Sequence, residues 1–297
     1  MLFDRQISYS KNLANRVPRV KETELPVQDD VSNDPLFIRS VARAMEVLRC
    51  VGQSQKPINV SEIAAQSGLT QSNAWRISYT LRSLGYLKIT EGGDIQPGLP
   101  LLSLGYAALA TDSVHKIAKP YLTELAEKFR AAAGIAVRNG LSMIYLERSE
   151  GHAVLNVRLR PGSAVTLMSS AMGWAYLSGT SKEERDHLLA QIKRDEPQRW
   201  KSHARLFKAA HAEAAGQGFI LCVDVFHPGV GMAAATVRHP RTGTLYSINC
   251  GGLTAAIPLA TLRREVGPAV RRAAEQIQPL LASIDEGPAG LRREQPA

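Results

Sequence analysis

Cysteines, clustered histidines and long apolar runs are scarce in this 297-residue sequence, and each scarcity excludes something. The three cysteines, Cys50, Cys222 and Cys250, show no metal-ligand spacing and have apolar neighbours. They are expected to be buried thiols in a reducing compartment. The seven histidines form no HxxxH or similar cluster, so no metal site and no cofactor are expected. No apolar run approaches the ~20 residues a membrane helix needs, and the first residues lack a secretory apolar core. A cytoplasmic protein without a membrane partner is expected.

Charge is present but spread out. The formal net charge of +9 suits a polyanionic partner. Residues 1–98 hold 12 Lys/Arg and 10 Asp/Glu, whereas the remainder holds 24 and 17. The excess therefore does not sit on the segment that most resembles a nucleic-acid module. Any DNA affinity would rest on a few placed cations and be sensitive to salt.

That segment is SEIAAQSGLTQSNAWRISYTLRSLGY, residues 61–86. It reads as two short helices joined by a tight turn. Ser61 is expected to cap the first, with Glu62 in its first turn. Gly68 stands where a left-handed residue ends a helix, and Thr70 can cap the second. There Ala74, Ile77, Leu81 and Leu84 fall on one side at helical spacing. Ser72, Trp75, Arg76, Tyr79 and Ser83 fall on the other, flanked by Gln71 and Arg82. Arg and Gln can read base edges in a major groove; Ser, Tyr and Arg can hold phosphates.

The following YLKITEGGDIQPG, with Gly92-Gly93 at its centre, reads as a hairpin wing. Upstream, Val41, Ala44, Met45 and Leu48 have helical spacing. The sum is a winged helix-turn-helix over residues 36–98, preceded by a disordered arm (1–35). Trp75 and Tyr79 could instead be interface aromatics.

Residues 99–115 read as a linker helix. Residues 116–285 read as a second, α+β domain, and 286–297 as a disordered tail. Within the second domain IAVRN, SMIYLER, AVLNVRLR, GFILCVD, MAAATVR and TLYSINC read as six strands, with Gly140 and Gly151 at turns. Helices are expected from Ser170, over SKEERDHLLAQIKRD, over 203–216 and over 256–283.

Taken together, SVARAMEVL, SGLTQSNAWR..YTLRSLGY, LERSEG, PGSAVTLMSSAMGWAYL and GF-----DVFHPGVGMAAATV resemble the IclR family of bacterial transcriptional regulators over residues 38–285. The resemblance implies an N-terminal winged helix-turn-helix and a C-terminal GAF-like effector-binding domain built on an antiparallel sheet. It also implies a double-stranded DNA operator, a small-molecule carboxylate effector, and a homodimer or dimer of dimers. Arg76 and Ser72 match family positions on the recognition helix. Gln71, Asn73, Trp75 and Tyr79 stand at variable positions, where site preference would be set.

By the same alignment the effector meets the amides of Ala171 and Met172 at a helix start, which is the positive end of the helix dipole. Ser169 and Ser170 could add hydroxyls, or Ser170 could only cap that helix. Cys222, Met232, Asn249 and Gly251 align with the opposite pocket wall. Trp174, Val225 and Thr236 replace a frequent Lys, Glu and Pro. The pocket is therefore expected to be apolar and suited to a bulkier acid, aromatic acids among them. Asp224 and His227 are read as loop polar residues.

Two rivals remain. One is an enzyme with Cys222 or Ser170 as nucleophile, which needs a base such as His227. The other is a metabolite sensor that acts through protein partners.

Overall fold

The computed structural model describes residues 34–54, 56–110, 113–151 and 159–284. Residues 1–33 of the expected arm (1–35), most of the AVLNVRLR strand and the tail over 286–297 lie outside the described residues.

Helix α1 (Arg39–Gln53) buries Val47, Cys50 and Val51. Val41 and Met45, expected on its inner face, are exposed instead. The buried stripe begins one and a half turns later than the spacing suggested. Helix α2 (Val60–Ser67) starts before the expected cap at Ser61. Asn59 is the cap: its side chain accepts from the Glu62 amide at 2.9 Å, and Glu62 accepts from the Asn59 amide at 2.9 Å. This reciprocal pair satisfies two donors that the helix start leaves open. Gly68 ends α2 with φ +66°, a conformation that costs glycine little.

Thr70 caps α3 (Gln71–Ser83) by accepting from the Asn73 amide. Ala74, Ser78 and Leu81 form its buried side, whereas Leu84, expected there, is 62% exposed. Strands β1 (Leu87–Ile89) and β2 (Ile95–Pro97) make the wing. Gly93 turns it with φ +86°, and Ile58 adds a bridge to Ile95. Val47, Ile63, Ala74, Leu81, Leu87 and Ile95 share one small core.

Helix α4 (Pro100–Ala110) has no buried residue. Helix α5 (Val114–Phe129) buries Ala118, Leu122 and Leu125 on either side of an internal Pro120. The second part of the chain holds strands β3 (Ala132–Asn139), β4 (Ser142–Glu150), β5 (Ala164–Thr166), β6 (Ile220–Val223), β7 (Val230–Arg238) and β8 (Leu245–Leu253). They form a six-stranded antiparallel sheet in the order β5-β4-β3-β8-β7-β6. β5 falls where no strand was expected.

On one face pack α5, the short α9 (Leu259–Thr261), a π-helical turn over Leu262–Val266, and α10 (Gly267–Ile284). On the other pack α6 (Ala171–Gly179), α7 (Lys182–Asp195) and α8 (Pro197–Ala214). Helix α8 begins earlier than the expected 203, because Pro197 has its φ preset for a first helical position. The mixed α+β architecture expected from the sequence is the one found, with two helical layers flanking a sheet.

Candidate functional site

Helix α3 presents Gln71, Ser72, Trp75, Arg76, Tyr79, Arg82 and Ser83 to solvent, and Asn73 is half-buried. The Arg76 guanidinium has no hydrogen bond or ion pair to any described residue. Its five donors are free for an external acceptor. Gln71 is less free, because its amide nitrogen donates to Ser61 Oγ at 2.9 Å.

Trp75 and Tyr79 stack with ring centroids 5.6 Å apart, and the Arg82 guanidinium lies 5.2 Å from the Tyr79 centroid. These three residues and the wing residues Leu87 and Ile89 bound a cleft of about 240 Å³. The aromatics therefore stand along the flank of α3 that faces the wing, while Ser72, Arg76 and Ser83 occupy its open outer side.

The second set of residues lies on the sheet face that packs against α6. Ser170 caps α6. Its hydroxyl accepts from the Gly173 amide at 3.1 Å and donates to the Thr166 carbonyl at 2.7 Å, so its one proton is already engaged. Ser169 Oγ pairs with Thr166 Oγ1 at 2.5 Å. The amides of Ala171 and Met172 have no partner among the described residues, as first-turn amides generally do not. Both residues are buried. Gly173 is required here: a Cβ would lie 2.1 Å from the Leu167 carbonyl oxygen. Trp174 is core, its Nε1 donating to the Met168 carbonyl at 2.8 Å and its ring meeting Phe207 edge-on.

Register brings Cys222, Met232 and Gly251 into one row across β6, β7 and β8. Met232 Sδ packs where a Gly251 side chain would begin. Burial pushes the Cys222 thiol far above its usual pKa. A thiol held protonated is a poor nucleophile, and none of its described contacts is a histidine. His227 is exposed and turned to the Pro228 carbonyl. Among the described residues, the Cys222 thiol is held protonated and the hydroxyl partners of Ser170 are backbone groups. Asp224 accepts from the Gly229 amide at 2.6 Å, closing its loop.

The next row holds residues the sequence reading passed over. Arg148, Gly134 and Asn249 pair laterally across β4, β3 and β8. The Arg148 side chain is 3% exposed. Its Nε donates to Glu150 at 3.1 Å, and Nη1 has no partner among the described residues. Its guanidinium lies 5.7 Å from the Tyr145 ring centroid. Tyr145 Oη accepts from Asn249 Nδ2 at 3.5 Å. Burial raises the Tyr145 pKa, and the Arg148 charge and the Asn249 amide only partly offset this, so the phenol stays a neutral donor.

Strict alternation from Tyr145 would turn Arg148 to the opposite face. A β-bulge prevents that: Ala136 pairs with Tyr145 and Ile135 with Glu147, so Leu146 is an extra residue and the parity flips. No local sequence signal marks this bulge.

The IclR helix-turn-helix domain pattern matches residues 40–89, and the pattern for the bacterial transcriptional regulator IclR C-terminal domain matches 106–279. A solved IclR family transcriptional regulator from Brucella abortus is 30% identical with a TM-score of 0.72, over 86% of this chain and 96% of that one. The HTH-type transcriptional regulator TsaQ1/TsaQ2 of Comamonas testosteroni is 24% identical over 82% of this chain and 88% of its own length. An IclR homolog from Microbacterium hydrocarbonoxydans, solved with 4-hydroxybenzoate, shares the fold at 18% identity with a TM-score of 0.63, over 82% and 99% of the two chains. With a helix-turn-helix, an antiparallel-sheet domain and matches over most of its length, this chain belongs to the IclR family of DNA-binding transcriptional regulators.

Proposed function

We propose that this regulator reads an operator through α3 and is controlled by a small organic acid bound at the inner face of its sheet. The observation that carries the DNA half is Arg76, an exposed guanidinium with no intramolecular partner on the open side of a recognition-type helix. Thr70 sets the helix start. Arg76 and Ser72 contact bases or phosphates, Gln71, Asn73, Trp75 and Tyr79 set site preference, and Arg82 backs the aromatic pair.

The effector half rests on the free amides of Ala171 and Met172 at the start of α6, with Ser169, Ser170, Cys222, Met232, Asn249 and Gly251 around them. An aromatic acid is favoured by the apolar surroundings and by the 4-hydroxybenzoate carried by the Microbacterium homolog. A catabolic operon is the natural target of such a sensor. The working division is a winged helix-turn-helix over 36–98, a linker over 99–115 and an effector domain over 116–285. Two copies pair so that two recognition helices reach successive turns of the major groove. Effector binding shifts their disposition by its difference in affinity for the two states.

The test is capture of sheared host genomic DNA on the purified protein at two salt concentrations, followed by sequencing. The reading expects a discrete set of near-palindromic sites that survive the higher salt. Diffuse capture that salt abolishes would leave only charge-driven contact and favour a sensor acting through protein partners.

A further inference from the structure

Three buried side-chain atoms on the inner face of the sheet lack partners among the described residues: Arg148 Nη1, Asn249 Oδ1 and Ser247 Oγ. Buried polar atoms are normally paired, and an unmet charged donor is the most costly kind. Among the described residues Arg148 makes one ion pair, to a Glu150 that is 56% exposed, and its guanidinium lies beside the Tyr145 ring; neither contact meets Nη1.

The three atoms are grouped by the register. Arg148 and Asn249 face Gly134 from opposite sides, two strand spacings or about 10 Å apart at the backbone. Ser247 lies one step along β8, beside Ala136, which pairs in turn with Tyr145. Because Gly134 has no side chain, the Tyr145 ring crosses β3 there; a Cβ would meet its Cε1 at 2.7 Å. The ring spans the gap and brings its hydroxyl to Asn249. The result is a strip with a guanidinium at one end and an amide, a phenol and a hydroxyl at the other. Met168, Met172 and Trp174 belong to the same core cluster as Tyr145 and supply the apolar surroundings.

We propose that Arg148 is the cationic anchor of the acid effector, and that Tyr145 and Asn249 engage a second polar group farther along it. This rests on reading the inner face as an acid-binding site. The ligand class is thereby narrowed to carboxylates that carry a hydroxyl or carbonyl at the end remote from the carboxylate. A guanidinium suits a carboxylate because its forked donors match the two oxygens. An uncharged isostere of the acid would leave Nη1 buried without an anion.

The experiment uses the full chain and its Arg148→Met and Arg148→Lys variants. Thermal midpoints are recorded without ligand and in titrations of acetate, benzoate and 4-hydroxybenzoate, each against its amide. The Met variant is expected to melt at or above the wild type when no ligand is present, because a buried guanidinium with an unmet donor has been replaced by an apolar side chain of similar length. The wild type is stabilised by the aromatic acids and not by the amides, and 4-hydroxybenzoate binds more tightly than benzoate. The Met variant loses roughly thirty-fold or more in acid affinity, and the Lys variant recovers part of it.

Equal stabilisation of wild type and Met variant by the acids would overturn the role of Arg148 and leave the acid-effector reading intact. A folded Lys variant that recovers nothing would overturn it too, since charge would not be the cause. No stabilisation of the wild type by any of the acids would overturn both. Operator binding, measured in parallel on all three proteins, separates either failure from a failure of the DNA-binding reading.

Discussion

The outer face of α3 and the inner face of the sheet each hold an arginine with unused donors, Arg76 in water and Arg148 in a closed core. Water satisfies Arg76, so holding it ready adds nothing to the free energy of folding. Arg148 has no such solvent, and its unmet donor lowers stability; in the proposed reading a bound acid relieves that cost. The difference shows how one chain can present two charged sites with opposite signatures. Removing the exposed arginine should change only binding. Removing the buried one should change binding and relieve the fold.

The most damaging way to break this comparison is at the start of α6. Gly173→Ala places a methyl within van der Waals overlap of the Leu167 backbone. A loss of about 3 kcal/mol in urea unfolding is expected, together with loss of acid binding. A smaller effect belongs to Arg76→Ala. Operator affinity should fall by about 1–3 kcal/mol, read by anisotropy on a site recovered from the genome, while the unfolding midpoint stays put. An unchanged affinity would remove Arg76 from the interface.

Much of the helix-turn-helix was legible in advance because its signals are local. Gly68, Thr70 and the alternating faces of α3 act within a few residues. What was not legible was decided either by competing local signals or by partners distant in the chain. Ser61 looked like a cap, but Asn59 has Glu62 at the correct offset for a reciprocal pair. Ser78 is buried and Leu84 is exposed because the wing and α2 decide which side of α3 is covered. Arg148 was passed over because one bulge residue, Leu146, turns it inward. The proposed pocket-wall positions Cys222, Met232, Asn249 and Gly251 rest on resemblance, and their lateral rows became visible only in the sheet register.

Asn59→Ala sharpens the comparison from the DNA-reading side. It removes the side-chain bond to the Glu62 amide at the start of α2, leaves the bond from the residue-59 amide to Glu62, and should cost about 1 kcal/mol in urea unfolding, with acid binding untouched.

The smallest expected effect lies near the C-terminal end of α6. Burial alone would raise the Glu184 pKa, but hydrogen bonds from Thr180 and Tyr176 and the Arg138 charge outweigh it and hold it below the usual 4.5. A lowered folded-state value means stability that is present above pH 4.5 and lost as the pH falls through the folded value. Glu184→Gln should therefore be less stable than wild type near neutrality, with the gap closing on acidification below 4.5. A gap independent of pH would show that packing, not charge, is what Glu184 supplies.

The most direct measurement is the operator affinity of the wild type with and without an acid that raises its thermal midpoint. Control by that acid predicts a change of about 5- to 150-fold in either direction, and no change in Arg148→Met. An acid that binds and stabilises the protein yet leaves operator affinity unaltered would contradict it, because the two arginines would then serve sites that are not coupled.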